Sequence, residues 1–143
     1  MTRSSLYKLF IACSIILPAA ERCLAQATLP PAYSANKKVS YIRTWDVTSP
    51  QTNPDSVMVR SLKDVKQTTL YVDGLGRPIQ TVVKQGSMTT GGTAYDLVSA
   101  NTYDEFGREA LKYLPFAANN IGGNTSLSDG LFKLNPFQQD SAF

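Results

Sequence analysis

Apolar and polar positions along this chain alternate in short runs instead of recurring every three or four residues, and the runs are bounded by Pro, Gly, Asn and Asp. That pattern belongs to short, half-buried β-strands separated by turns. Residues 39–47 place Val39, Tyr41, Trp45 and Val47 on one strand face, with Arg43 among them and the aromatics as half-buried core. Pro50 and Pro54, set among Ser, Thr, Asn and Asp, mark residues 48–56 as a loop. Residues 60–67 suit either a strand or one or two helical turns, because Leu62 and Val65 sit three apart. Residues 67–72 and 78–84 are β-branched and aromatic in bias and flank Asp73-Gly74-Leu75-Gly76, which predicts a hairpin. A second hairpin follows, with residues 95–103 feeding Asp104-Glu105-Phe106-Gly107 and residues 109–114 leaving it. Pro115 ends that run. The expected fold is mainly β: short antiparallel strands and hairpins with flexible loops.

The two turns share one grammar. Asp73 to Arg77 and Asp104 to Arg108 both read Asp, two residues, Gly, Arg, and they stand 31 positions apart. An Asp side chain hydrogen-bonds backbone amides two residues on, and Gly takes positive φ without a Cβ clash, so each turn holds what a tight reversal requires. The structural turn residues are therefore Asp73, Gly74, Gly76, Arg77, Tyr103, Asp104, Gly107 and Arg108. Pro78 belongs at a strand start or an edge, where its missing N–H is not needed. Arg77 reads as a solvated or carboxylate-paired flank.

The remaining stretches are loops or weak patches. Residues 85–94 carry Gly86, Gly91 and Gly92 among Ser and Thr and read as a flexible connector; they lack the Gly-Lys-Ser/Thr spacing of a phosphate loop. Residues 117–128 are polar and Gly-bearing, with Asn124-Thr125-Ser126 matching a glycosylation sequon of the kind that arises often by chance. Residues 130–137 form a last apolar patch, after which the chain stops without a cap or a charged tail, as an interrupted architecture would.

Composition changes the picture at the N-terminus. Residues 1–25 read as a secretory signal: Arg3 and Lys8 precede or border an apolar run over 9–17, and Cys23-Leu24-Ala25 offers the cleavage site. The run is broken by Pro18 and closed by Glu21 and Arg22, too short for a membrane span. Residues 26–37 then form an exposed leader, and residues 38–143 the folded domain. Both cysteines, Cys13 and Cys23, lie in the signal, and the chain has no histidine. The mature chain thus has no disulfide, thiolate, imidazole base or Cys/His metal ligand, and no cofactor motif. Arg3, Lys8, Arg22 and Glu21 all leave with the signal, which lowers the net charge from +3 to +1. With Lys37-Lys38 as the longest basic cluster, nucleic acid is not expected as a partner.

The residues also resemble a family. Tyr103-Asp104-Glu105-Phe106-Gly107-Arg108 matches the Tyr-Asp-x-x-Gly-Arg pattern of YD repeats in RHS proteins, and Val72 to Arg77 is a variant with Val in the Tyr position. Tyr41-Ile42-Arg43-Thr44-Trp45, the two turn units, Lys112-Tyr113-Leu114-Pro115-Phe116 and Asn135-Pro136-Phe137 together resemble the domain of unknown function that follows the signal peptide of RHS-repeat proteins from Bacteroidetes. The resemblance implies an exported, secreted or cell-surface protein whose repeats wind into a β-shell. It places units 70–83 and 102–114 at the N-terminal piece of a longer architecture, truncated at the C-terminus, with the rest of a larger RHS-repeat polypeptide or cell-surface components as partners.

Three functional classes follow from these readings. The first is a structural or interaction module with no catalytic, cofactor-binding or metal residues. The second is a carbohydrate-binding surface module built on Tyr41, Trp45, Tyr71, Tyr95, Tyr103 and Tyr113, since rings beside Asp and Arg can stack on sugars. The third is a hydrolase using two carboxylates. Asp104 and Glu105 are adjacent, where strand side chains point apart, and Asp73 with Asp104 across two hairpins is the other pairing.

Overall fold

The computed structural model describes residues 29–87 and 92–138. The signal expected over 1–25 lies outside the described residues, as do part of the 85–94 connector and the last five positions.

Among the described residues, six antiparallel strands form one sheet: β1 (Ser40–Val47), β2 (Val65–Val72), β3 (Pro78–Val83), β4 (Leu97–Tyr103), β5 (Glu109–Lys112) and β6 (Phe116–Ala117). The first four lie in sequence order. The far edge of β4 is shared, β6 pairing with Leu97 and Val98 and β5 with Asn101 to Tyr103. The mainly β, antiparallel hairpin fold expected from the alternation is the fold observed. Pro78 stands at the start of β3, where it needs no ladder donor.

The loop expected over 48–56 contains the main departure. Pro54–Met58 is a short helix, α1, because Asn53 caps it: its Oδ1 accepts the Asp55 N–H at 2.9 Å. Pro54 sits in the first helical turn, where a missing N–H removes no intrahelical bond. Residues 60–67, open between strand and helix in the sequence, resolve into a turn closed by the Asp64 and Val65 N–H groups on the Ser61 carbonyl, followed by β2.

Strand register sets the core. Thr69 faces Val82, Val82 faces Val98, and Val98 faces Phe116, so one row crosses four strands on a single face. A second row runs from Tyr41 through Tyr71 and Gln80 to Ala100. The cluster comprises Tyr71, Ile79, Val82, Val98, Phe116 and Ala118, with Val39, Tyr103, Leu127 and Phe132 packed around it. Burial of a valine such as Val82 contributes about 1.5 to 3 kcal/mol. Ile79 joins the core because the pairing slips between Tyr71 and Val72. β1 is an edge strand, so Tyr41 keeps 57% of its surface exposed although it lies against Tyr71, at 5.9 Å between ring centroids.

The second layer is the segment after β5, which contributes the two-residue β6 and one turn of 3-10 helix (Ile121–Gly123). The stretch that read as a last apolar patch lies over the sheet. Phe132 meets Tyr71 edge-on at 5.1 Å, and Phe137 contacts both Tyr33 and Tyr113 at 5.3 Å. Lacking a ladder of its own, this segment takes its pairing from side chains. The Gln80 amide brackets the backbone of Lys133, accepting its N–H at 2.8 Å and donating to its carbonyl at 3.0 Å. Asn124 does the same for Asn135, at 3.1 and 2.9 Å. Asn124 is therefore a buried structural amide that uses both of its N–H donors, and a glycan on its nitrogen would remove one of them. In the leader, Tyr33 stacks with Phe132 and Phe137 and donates its backbone N–H to Leu134, tying otherwise exposed residues to the covering layer.

Candidate functional site

The two Asp–Gly–Arg turns are built alike to within a few tenths of an ångström. In the first, Asp73 Oδ1 accepts the N–H groups of Leu75 and Arg77, both at 2.9 Å, and Oδ2 accepts Arg77 Nε at 2.8 Å. In the second, Asp104 Oδ1 accepts from Phe106 at 3.0 Å and Arg108 at 2.8 Å, and Oδ2 from Arg108 Nε at 2.8 Å. Each turn is closed by the Asp N–H donating to the Arg carbonyl and by the Gly N–H donating to the Asp carbonyl. Gly76 at φ 78° and Gly107 at φ 77° hold the left-handed position that the reversal demands. One carboxylate thus organises five residues and fixes the arginine at the hairpin exit.

The electrostatics follow from that geometry. The Arg77 backbone N–H, with help from its guanidinium and the Leu75 N–H, holds the Asp73 carboxyl below the usual carboxylate range, against a desolvation that pushes it up. The Arg108 and Phe106 donors do the same for Asp104. Both carboxylates, the Asp73–Asp104 pair considered for a hydrolase, accept hydrogen bonds from their own turn on each of their oxygens. Glu105 sits exposed between the turn donors.

The turns also meet. Arg77 lies over the ring of Tyr103, 4.6 Å from its centroid, and the Tyr103 hydroxyl donates to the Pro78 carbonyl at 2.7 Å. Gly107 completes the contact: a Cβ there would stand 2.7 Å from an Arg77 terminal nitrogen. The Arg77 side chain keeps 32% of its surface exposed. The equivalent Arg108 is 75% exposed and leans on Phe106 of its own turn, 5.2 Å from the ring centroid. Of the solvated and carboxylate-paired alternatives for Arg77, the structure shows the carboxylate pair with Asp73 and adds an aromatic partner that neither alternative contains. The signal was present in the 31-residue offset, which puts a Tyr before the second Asp where the first unit has Val72.

Beside these turns lies an open groove of about 670 Å³, walled by Tyr33 and Lys37 of the leader, by Asp73 and Arg77, and by Asn101 and Tyr103. Lys37 sits over the Tyr33 ring at 4.4 Å. Burial, with Tyr113 and Tyr103 nearby, raises the Tyr33 phenol to about 12. Of the six aromatics considered for sugar stacking, only Tyr103 lines this groove. Trp45 lines a different, smaller cleft with Arg60, Ser61 and Lys84, and Tyr71 is buried in the core. The structure therefore does not gather the six into one site.

A third polar feature was not legible at all. Lys133, Asp96 and Asp129 form an ion-pair cluster beneath the covering layer, with Lys133 Nζ 2.7 Å from Asp96 and 3.0 Å from Asp129. Burial pushes the Asp129 carboxyl up, but the Leu131 N–H and the Lys133 ammonium outweigh it and hold it low. Among the described residues, no group of three or more His, Cys, Asp or Glu side chains is placed to hold a metal ion, and no helix is long and apolar enough to cross a membrane.

The fold and its turns define a class of protein: an antiparallel sheet assembled from Asp-clamped hairpins that lock onto one another. The chain belongs to the family described as domain of unknown function DUF6443, whose model matches residues 43–143. No curated protein and no solved structure matches the chain.

Proposed function

We propose that this chain is a non-catalytic structural and interaction module, exported through its N-terminal signal to the outside or surface of the cell, at the N-terminus of an RHS/YD-repeat protein and leading into a β-repeat shell. The observation that carries the reading is the asymmetry between the two arginines. Arg77 ends one clamped hairpin and is covered by the Tyr of the next, whereas Arg108 ends the second and is 75% exposed. Beyond Arg108, all four residues of β5 are exposed, and β5 is the last strand in the order of the sheet. A repeat unit buries its apolar face on its neighbour, so one satisfied unit beside one open unit is the geometry of a leading edge.

The test is binding between this chain and a separately produced polypeptide of tandem Tyr-Asp-x-x-Gly-Arg units. Co-elution of the two that is lost on Arg108→Ala supports the module; the absence of any complex at high micromolar concentration counts against it. A carbohydrate-binding surface module is the alternative, favoured by the open groove between Tyr33 and Tyr103. Retention on a polysaccharide that Tyr103→Ala abolishes would promote that reading, and no retention on any glycan would remove it.

A further inference from the structure

Lys133 stands apart from the clamped turns and the groove, and a module of stacked hairpins makes no use of its amine. Its side chain is 1% exposed and that of Asp96 is 0% exposed. Nζ lies 2.7 Å from Asp96 Oδ2 and 3.0 Å from Asp129 Oδ1. The Asp129 side chain is 39% exposed, so the trio opens to solvent on that side.

Everything around the pair is fixed. Asp96 Oδ1 accepts the Gln85 N–H at 2.8 Å, and Oδ2 accepts the Gly130 N–H at 2.8 Å. Gln80 brackets the Lys133 backbone from the neighbouring strand. The Lys133 amine and the Asp96 carboxyl carbon are therefore held together out of solvent, with the second carboxylate, Asp129, at the solvent side. Such confinement is what raises the effective concentration of two reacting groups.

The geometry points to an intramolecular amide bond between Lys133 Nζ and Asp96 Cγ, formed in the folded chain with Asp129 carrying the protons. The step begins with transfer of one Lys133 proton across the 2.7 Å Nζ–Oδ2 hydrogen bond, which sets an amine against a carboxylic acid. The amine lone pair then attacks Cγ; the Nζ–Cγ bond forms and the carbonyl electrons move onto Oδ1, where the Gln85 N–H stabilises the charge, while the Gly130 N–H holds the protonated Oδ2. Asp129 takes the proton shed by nitrogen and hands it to the hydroxyl oxygen, which leaves as water when the C–O bond breaks. Amine and carboxylic acid give amide and one water, with no oxidant, reductant or co-reactant. The product closes a loop between residues 37 positions apart, joining the start of β4 to the covering layer. It would serve as a disulfide does, in a chain whose cysteines both lie in the expected signal.

The intact mass of the full chain as purified is the test, with near-ultraviolet circular dichroism reporting folding. The expected mass is one water below that of the sequence, and the expected tryptic product joins fragment 85–108 to fragment 113–143 through an uncleaved Lys133. Asp129→Asn, which keeps a polar side chain at a partly exposed position, is expected to fold and to retain the full mass. A folded wild-type chain of full mass, cleaved by trypsin after Lys133, overturns the proposal and leaves an ordinary buried ion pair. Loss of water from folded Asp129→Asn overturns the role given to Asp129.

Discussion

The guanidinium of Arg77 lies 4.6 Å over the ring of Tyr103, whose hydroxyl donates to the Pro78 carbonyl at 2.7 Å. The Tyr that opens the second Asp-x-x-Gly-Arg unit thus closes on the Arg that ends the first, and two hairpins 31 residues apart become one body. Stacking of this kind contributes about 0.5 to 1 kcal/mol at a partly exposed site, and a net hydrogen bond about 0.5 to 1.5 kcal/mol.

Two substitutions separate these contributions. Tyr103→Phe keeps the stack and loses the donor, so urea melts are expected to show a loss of about 1 kcal/mol. Tyr103→Ala removes both, along with packing against the core cluster, and is expected to lose at least twice as much. Equal losses in the two variants would mean that the ring contributes nothing.

The glycines give an internal control. Gly76 and Gly107 share the same backbone angle, but a Cβ at Gly76 meets open space and one at Gly107 meets Arg77. Gly76→Ala is expected to lose about 1 to 2 kcal/mol, the strain of a left-handed Ala. Gly107→Ala carries the same strain and also displaces Arg77 from Tyr103. Its melting temperature is expected to fall further than that of Gly76→Ala, and an equal fall would place Arg77 outside the coupling.

Acid acts on the same turns. Asp73 and Asp104 titrate below their ordinary value of 3.8 in the folded chain, chiefly because the Arg77 and Arg108 backbone N–H groups bind the ionised form. A depressed native value means that the ionised group adds stability above the unfolded value and loses it as pH falls through the native one. The same sign holds for Asp129, through the Leu131 N–H and Lys133. From these groups, thermal stability is expected to hold steady from neutral pH to about 4 and to drop below it. Asp73→Ala with Asp104→Ala is expected to start lower and to show a shallower acid slope; an unchanged slope would refute the clamp.

The covering layer ties down the leader. Phe137 is 1% exposed and touches Tyr33 and Tyr113, so Phe137→Ala is expected to lose about 3 to 5 kcal/mol. Limited proteolysis is expected to cleave residues 29–37 of that variant faster than those of the wild type. Unchanged leader cleavage would show that Tyr33 is held by something other than this ring.

The strands and turns were legible because they rest on local rules: alternation in β2 and β3, and Asp and Gly at fixed offsets in both reversals. The Asn53 cap is masked in the sequence by Pro50 and Pro54, which mark the stretch as a loop, although Pro in the first helical turn is compatible with a start. The covering layer was not legible, because it is held by single long-range pairings. Gln80 bonds Lys133, 53 residues away, and Asp96 bonds Gly130, 34 residues away. No period or spacing connects such partners. The Arg77–Tyr103 stack falls between these cases: the repeat offset exposes its residues, and only the strand register brings them together.

The central claim is that β5 and Arg108 form the open end of a stack of clamped hairpins. Hydrogen exchange of the Glu109–Lys112 amides, with and without a tandem Tyr-Asp-x-x-Gly-Arg polypeptide, tests it most directly. The account predicts slowed exchange at β5 on addition of that polypeptide, while β1 at the opposite edge stays unchanged. Exchange at β5 that does not respond, or protection that appears at β1 instead, would contradict it.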